Sequence, residues 1–284
     1  MKLVYQVDKE CLVKEYLVEL GLSKRFCKKV KLYGKMFING MDAKNYFPLK
    51  IGDELILELD EELNQEINPL KEELDVLYED NYFLVINKPY NLATMPTKKH
   101  FLDNLVSLVK NYYLNKGINS NIHIVNRLDY STSGLVIIAL DGLTHYKFSN
   151  TFITKKYLAI VHGKVLDHGE VKNYIRREKE GSIKRIETTE GDGKFAHTIY
   201  DLIDSNELYS LVDVQILTGR THQIRVTFSS MNHPIVGDKL YGEGEDDRLY
   251  LACYNLKFNH PYTNELIDIK IKDDSFSEFM AKKH

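Results

Sequence analysis

The sequence predicts an α+β protein: a large mixed sheet with a few helices, preceded by a small helix-helix-sheet module. Three observations lead there. Short runs with strand character dominate the chain after residue 75, and helical periodicity is confined to a few stretches. An acidic segment carrying Pro69, residues 61–75, separates them from a different pattern nearer the N-terminus and reads as a linker. With 284 residues and 43% hydrophobic content there is material for two domains and a sizeable core.

In chain order, residues 1–8 alternate like a short strand and carry neither a long apolar core nor a small-residue cleavage site, so secretion is not expected. Leu12, Val13, Tyr16, Leu17 and Leu20 repeat at helical spacing, with Gly21 as the C-cap. Ser23 then reads as the N-cap of a second helix. Phe26 and Val30 form its apolar stripe, and Lys24, Arg25, Lys28 and Lys31 point outward. With Lys29 and Lys35 these make six Lys or Arg residues between Glu19 and Asp42 without one acid, a local basic face. Met36-Phe37-Ile38, a turn at Asn39-Gly40, and the alternating run 53–59 complete a compact module over residues 1–60.

The second domain, residues 76–284, opens with a hairpin: Val76-Leu77-Tyr78, a turn at Glu79-Asp80-Asn81, and the buried run 82–86. Pro89 ends it, because proline cannot continue a central strand. Further strands are expected at 135–140, 157–162, 198–204, 210–217 and 266–271, and helices at 102–116 and 143–152.

Composition excludes several classes. No run of about 18 apolar residues exists, so no membrane span is expected. Cys11, Cys27 and Cys253 are too scattered for a disulfide framework or a zinc site, which points to a reducing cytoplasm and no metal. A net charge of −3 argues against indiscriminate polyanion binding, although it averages over the local basic face.

The most informative stretch is residues 125–136, where Asp129 stands in a polar turn just ahead of a buried apolar strand. Arg127 beside it offers a bidentate partner for phosphate or carboxylate. Turn chemistry alone accounts for an isolated Asp or Ser there. Farther on, Gly219-Arg220-Thr221-His222-Gln223-Ile224-Arg225 sets two guanidinium groups five residues apart after a strand, and residues 232–242 hold two glycines and a proline in a strained loop. In Lys155-Lys156-Tyr157-Leu158-Ala159, strand alternation sends Tyr157 and Ala159 to one face.

Together these segments resemble the RluA-type family of RNA pseudouridine synthases. The resemblance rests on Asn87-Lys88-Pro89, on Arg127-Leu128-Asp129 with Thr132-Ser133-Gly134-Leu135, on Lys156-Tyr157-Leu158-Ala159, on the Gly219 to Arg225 motif, and on His233-Pro234-Ile235-Val236-Gly237-Asp238. Leu251-Ala252-Cys253-Tyr254-Asn255-Leu256 and His260-Pro261 echo the family's closing strand. Residues 1–60 resemble the small S-four-type RNA-binding module that many members carry, with Lys24, Arg25, Lys28, Lys29 and Lys31 where its RNA face lies. Two positions depart from the family pattern. Asn126 replaces the usual His before Arg-Leu-Asp and lacks a titratable ring, and Asn91 replaces a Gly, a change asparagine tolerates at positive φ. Val226-Thr227 also stands where Val-His is common.

The resemblance implies a mainly antiparallel sheet and the isomerisation of uridine to pseudouridine in structured RNA, without cofactor or metal. Ribosomal RNA ranks ahead of transfer RNA, and a monomer is the default. Asp129 is implied as the essential catalytic group, acting on the anomeric carbon or on the ribose 2′ proton, with Arg225 keeping it charged and Tyr157 lying against the base and removing the carbon 5 proton. Arg127 is implied to contact RNA beside a flipped nucleotide, and Arg220, Lys88 and Asn126 are further substrate-binding candidates. The alternative reading is a non-catalytic RNA-binding protein or ribosome assembly factor that keeps the fold. A glycoside hydrolase ranks far lower, because Asp129 lacks the paired carboxylate that reaction needs.

Overall fold

The computed structural model describes residues 2–22, 24–59 and 67–282. Near the N-terminus, strands Lys2–Gln6, Glu54–Glu58, Lys35–Ile38 and Met41–Asp42 form, in that order, an antiparallel four-stranded sheet. Helices Val13–Glu19 and Lys24–Tyr33 pack on it through Val13, Tyr16, Leu17 and Val30, which share a core with Leu3, Leu55 and Leu57. The expected cap at Ser23 lies outside the described residues, as does the 61–66 part of the expected linker. Residues 67–75 run without helix or strand, pinned where Leu70 N donates to the Ser107 carbonyl at 3.0 Å.

The body is an eleven-stranded sheet among the described residues, a mainly antiparallel α+β architecture. Its main path runs Arg185–Thr188, His168–Arg177, Lys194–Ser205, Tyr209–Ile216, Thr154–His162, Leu251–Asn259, Ser133–Ala139, Phe83–Lys88, Val76–Glu79. Strand Leu266–Lys270 adds to Leu251–Asn259, and His123–Ile124 to Ser133–Ala139. The buried runs of strands Phe83–Lys88 and Ser133–Ala139 pair antiparallel along their length, and helices Leu105–Lys116 and Gly142–Ser149 join them in one core through Leu105, Val109, Tyr113 and Phe148. Burial on this scale, about 25 cal/mol per Å² of apolar surface, is the main source of rigidity beneath the loops.

Strands His168–Arg177 and Arg185–Thr188 and helices Gln223–Ser230 and Asp274–Lys282 were not expected from the sequence. His168–Arg177 lies toward the end of the sheet, with only Asn173 and Ile175 buried, so its apolar alternation is thin. Helix Gln223–Ser230 has the opposite problem: six of its residues are buried, and a helix buried nearly all round has no amphipathic stripe to read.

The sheet's parallel pairing, between Ser133–Ala139 and Leu251–Asn259, matters most for function. Gly134 pairs with Cys253, and Cys253 pairs on its other side with Tyr157. At Gly134, φ is +111° and a β-carbon would stand 2.2 Å from the Cys253 carbonyl oxygen. Only glycine allows this approach, which draws the Asp129 turn toward the Tyr157 strand. Gly134→Ala is therefore expected to lower stability by about 3 kcal/mol. A urea titration in which the variant unfolds at the wild-type midpoint would remove this constraint from the account.

Candidate active site

The turn bearing Asp129 is fixed on three sides. Asn126 spans two residues of the neighbouring strand: its Nδ2 donates to the Leu135 carbonyl at 3.1 Å and its Oδ1 accepts from Ile137 N at 2.8 Å. Thr94 Oγ1 donates to the Leu128 carbonyl at 2.6 Å, and Thr132 N donates to the Asp129 carbonyl at 3.1 Å, closing the turn. Beneath it lies Lys88, fully buried, whose Nζ donates to the carbonyls of Pro89 (2.9 Å), Leu92 (2.8 Å) and Tyr130 (3.4 Å). Burial pushes the Lys88 ammonium down to about 7, with the Asp129 carboxylate opposing. Three carbonyls also favour the charged form, since only an ammonium has three N–H groups to offer.

Asn126 and Lys88, expected as substrate contacts, meet backbone groups in this structure, and Asn126 also lines the cavity. Both spend their polar atoms on backbone, because a buried turn must satisfy its own carbonyls and amides. Asn91 has φ 56°, the positive value expected where the family has glycine.

Facing this turn is the N-terminal end of helix Gln223–Ser230. Arg225 Nη1 stands 4.0 Å from Asp129 Oδ2, and His222 Nε2 stands 3.9 Å from the same oxygen. The tighter partner of Arg225 is Asp238, which accepts from Nε and from Nη2 at 2.7 Å each. Burial works against the Arg225 charge, but the Asp238 hydrogen bonds and the fields of Asp238, Asp129 and Tyr241 outweigh it and hold its pKa above the ordinary value. Asp238 also accepts from Leu240 N and Tyr241 N. Tyr241 presents its ring 5.0 Å from the Arg225 guanidinium carbon, accepts from Arg185 N at 2.7 Å, and shares a 2.8 Å hydrogen bond with His222 Nδ1. Burial, aided by Arg225 and opposed by Asp129, lowers the His222 pKa, which favours the neutral ring.

Tyr157, 6% exposed, comes from strand Thr154–His162. Burial above all, then Cys253 and Asp129, raise its phenol well above the ordinary range, so it is held protonated. Asp129, Tyr157 and Arg225 line one cavity of about 370 Å³, together with Arg127, Lys155 and Arg220. A second opening of about 950 Å³ shares Arg127, Asp129, His222 and Arg225 with it and adds Lys98, Lys99, Arg177, Arg185 and Lys239. Arg127 is exposed where the two meet. Arg220 lies at the cavity wall with Nε donating to the Phe195 carbonyl at 2.7 Å. Far along the chain, Lys24, Lys28, Lys29 and Lys31 are exposed on helix Lys24–Tyr33, and the Arg25 side chain lies outside the described residues.

His222, Asp238 and Lys155 stand within the sequence motifs, and Tyr241 within the 232–242 loop, but sequence alone gives them no role. The only signal was proximity to Arg225 and Tyr157 in the chain, since the Asp238 contact joins a helix to a loop thirteen residues on.

A family model described as RNA pseudouridylate synthase matches residues 82–230, a stretch that includes Asp129, Tyr157 and Arg225. The chain belongs to the RNA pseudouridylate synthase family. It is 36% identical over 262 residues to YjbO, an uncharacterized RNA pseudouridine synthase of Bacillus subtilis, covering 89% of this chain and 92% of the relative. Ribosomal large subunit pseudouridine synthase D of Borreliella burgdorferi is 31% identical over 249 residues, covering 83% of this chain and 73% of the relative. Human RNA pseudouridylate synthase domain containing 1 shares the fold with a TM-score of 0.59 and 25% identity, covering 72% of this chain and 84% of that one. As a pseudouridylate synthase, the protein isomerises uridine in RNA to pseudouridine.

Two outcomes follow for the site. Asp238→Ala leaves the Arg225 charge buried without its closest partner and is expected to cost roughly 3–5 kcal/mol, measured by denaturant unfolding. Lys88 holds its proton less tightly folded (about 7) than unfolded (about 10.4), so between those values the unfolded chain binds more protons. Stability relative to Lys88→Met should therefore rise as pH increases from about 7 toward 10. A difference that stays flat or falls across that range would contradict the burial of this ammonium.

Proposed function

We propose that the protein is an RluA-type pseudouridine synthase in which Asp129 carries the reaction, acting on ribosomal RNA in preference to transfer RNA. The observation that carries this reading is that Asp129, Tyr157 and Arg225, distant in sequence, face one cavity of nucleoside scale. Isomerisation breaks the bond between the ribose anomeric carbon and uracil N1, turns the base, and joins the same carbon to uracil C5. Asp129 acts either as nucleophile at the anomeric carbon or as base toward the 2′ proton, and both routes need a carboxylate open to the cavity. Its side chain is 26% exposed, with the Arg225 guanidinium on one side. That guanidinium is held in place by Asp238, so it meets the reacting carboxylate with little reorganisation.

A uridine stacked in a helix cannot reach this depth, so the nucleotide is flipped out, at a cost of a few kcal/mol. Arg127 at the mouth contacts the RNA beside the gap it leaves, and the lysines and arginines of the larger opening take the phosphates. Tyr157 lies against the extruded base, and its protonated phenol makes packing its principal contribution. Removal of the C5 proton by this residue would require its own proton to leave first. The module over residues 1–60 acts as an S-four-type RNA-binding module, supported by the exposed lysines on helix Lys24–Tyr33. The ribosomal substrate is supported by the relative named as a large-subunit enzyme, which matches over most of both chains.

Asp129→Asn is expected to reduce pseudouridine formation in ribosomal RNA by thousands-fold or more, on the order of several kcal/mol, read by carbodiimide mapping or mass spectrometry. Wild-type conversion by this variant would sink the assignment. Modification confined to transfer RNA would move the substrate and leave the chemistry standing.

A further inference from the structure

Four cations stand on the wall of the smaller cavity: Arg127, Lys155, Arg220 and Arg225. Arg225 is committed to Asp238, Arg220 donates to the Phe195 carbonyl, and Arg127 lies open to solvent. Lys155 differs from all three. It is half-buried, and among the described residues its ammonium has neither a hydrogen-bond nor an ion-pair partner. Its neighbour Lys156 shows the ordinary arrangement: strand alternation turns it away, and its Nζ meets Asp213 at 2.6 Å. The Cys253 thiol opposes the effect of burial on Lys155, but burial pushes that thiol up to about 12 and so keeps it neutral. Burial pushes the Lys155 ammonium below the ordinary lysine range. A sheltered, unpaired cation is costly, and folds retain such groups where a ligand supplies the missing charge.

The location identifies that ligand. Lys155 and Tyr157 stand two residues apart on one strand, both lining the cavity, so their side chains leave the backbone ~7 Å apart. A pyrimidine lying on the Tyr157 ring, as in the reading above on which this inference rests, brings its edge to Lys155. Cleavage of the glycosidic bond leaves the electron pair on uracil, delocalised from N1 onto both carbonyl oxygens. Formation of the C5 bond to the anomeric carbon consumes that charge. The proton lost from C5 is balanced by one gained at N1, so nothing is oxidised or reduced. Both routes open to Asp129 pass through this detached anion.

We propose that Lys155 is a catalytic residue that holds the detached uracil, its ammonium donating to a carbonyl oxygen of the anion while the base turns. It is placed where charge develops in the reaction and has no competing partner, the condition under which an electrostatic contact accelerates chemistry more than it strengthens binding. It also has a retention function, since a base that escapes leaves an abasic site.

The test uses the full chain and RNA labelled with [5-³H]uridine, prepared from cells lacking the gene. Tritium release is followed in a single turnover with saturating enzyme, and RNA affinity is measured separately by filter binding. Lys155→Gln and Lys155→Met are expected to slow the single-turnover step by roughly 100-fold, the scale of losing one preorganised donor. RNA affinity should stay within a few-fold, and Lys155→Arg should recover much of the rate. An unchanged single-turnover rate in Lys155→Gln overturns the proposal, whatever happens to affinity. A loss of affinity alone would mark Lys155 as a phosphate contact, whose signature is a shallower salt dependence. Asp129→Asn, run in parallel, separates the two readings: an inactive Asp129→Asn beside a fully active Lys155→Gln removes only the role of Lys155, whereas an active Asp129→Asn removes the assignment beneath it.

Discussion

A buried guanidinium needs a carboxylate, and Arg225 meets two that do different work. Asp238 takes the fork of Nε and Nη2 in a closed, bidentate pair, while Asp129 faces Nη1 across a gap just beyond hydrogen-bond range. The first contact is structural and stays satisfied without substrate. Because that fork fixes the guanidinium in place, the second carboxylate is left near a positive charge without being tied up by it. Much of the remaining site geometry follows from this pair. Helix Gln223–Ser230 is anchored to the loop at Asp238, Tyr241 is carried under the guanidinium, and His222 is turned toward Asp129 through its bond to the Tyr241 hydroxyl.

Much of the body was legible from local pattern. The buried strands Phe83–Lys88 and Ser133–Ala139 were foreshadowed by the apolar runs at 82–86 and 135–140, and helix Leu105–Lys116 by the helix expected over 102–116. What escaped notice was what local pattern does not encode. Strand His168–Arg177 is recruited by pairing with Lys194–Ser205 more than by its own hydrophobicity, and helix Gln223–Ser230 is built from residues that bury on nearly every side.

The site was legible in a similar, partial way. The motifs containing Asp129, Tyr157 and Arg225 could be picked out, but their division of labour could not, because it depends on which polar atoms the fold has already used. Lys88 resembles a phosphate ligand until its three backbone acceptors are seen, and Lys155 resembles surface charge until it is seen to have no hydrogen-bond or ion-pair partner among the described residues. Asp238, which the sequence places in a family motif and a strained loop but gives no role, is the closest partner of the most buried cation on the cavity wall.

The amide at Asn126 has one more consequence. It holds a carbonyl with its nitrogen and an amide N–H with its oxygen, so it performs both halves of the clamp at once and in a single ionisation state. An imidazole there would gain or lose a proton near neutrality, and one of those two bonds would come and go with it. The loop that presents Asp129 is thus insulated from acidity at this anchor, whose two bonds survive any change of pH in the neutral range.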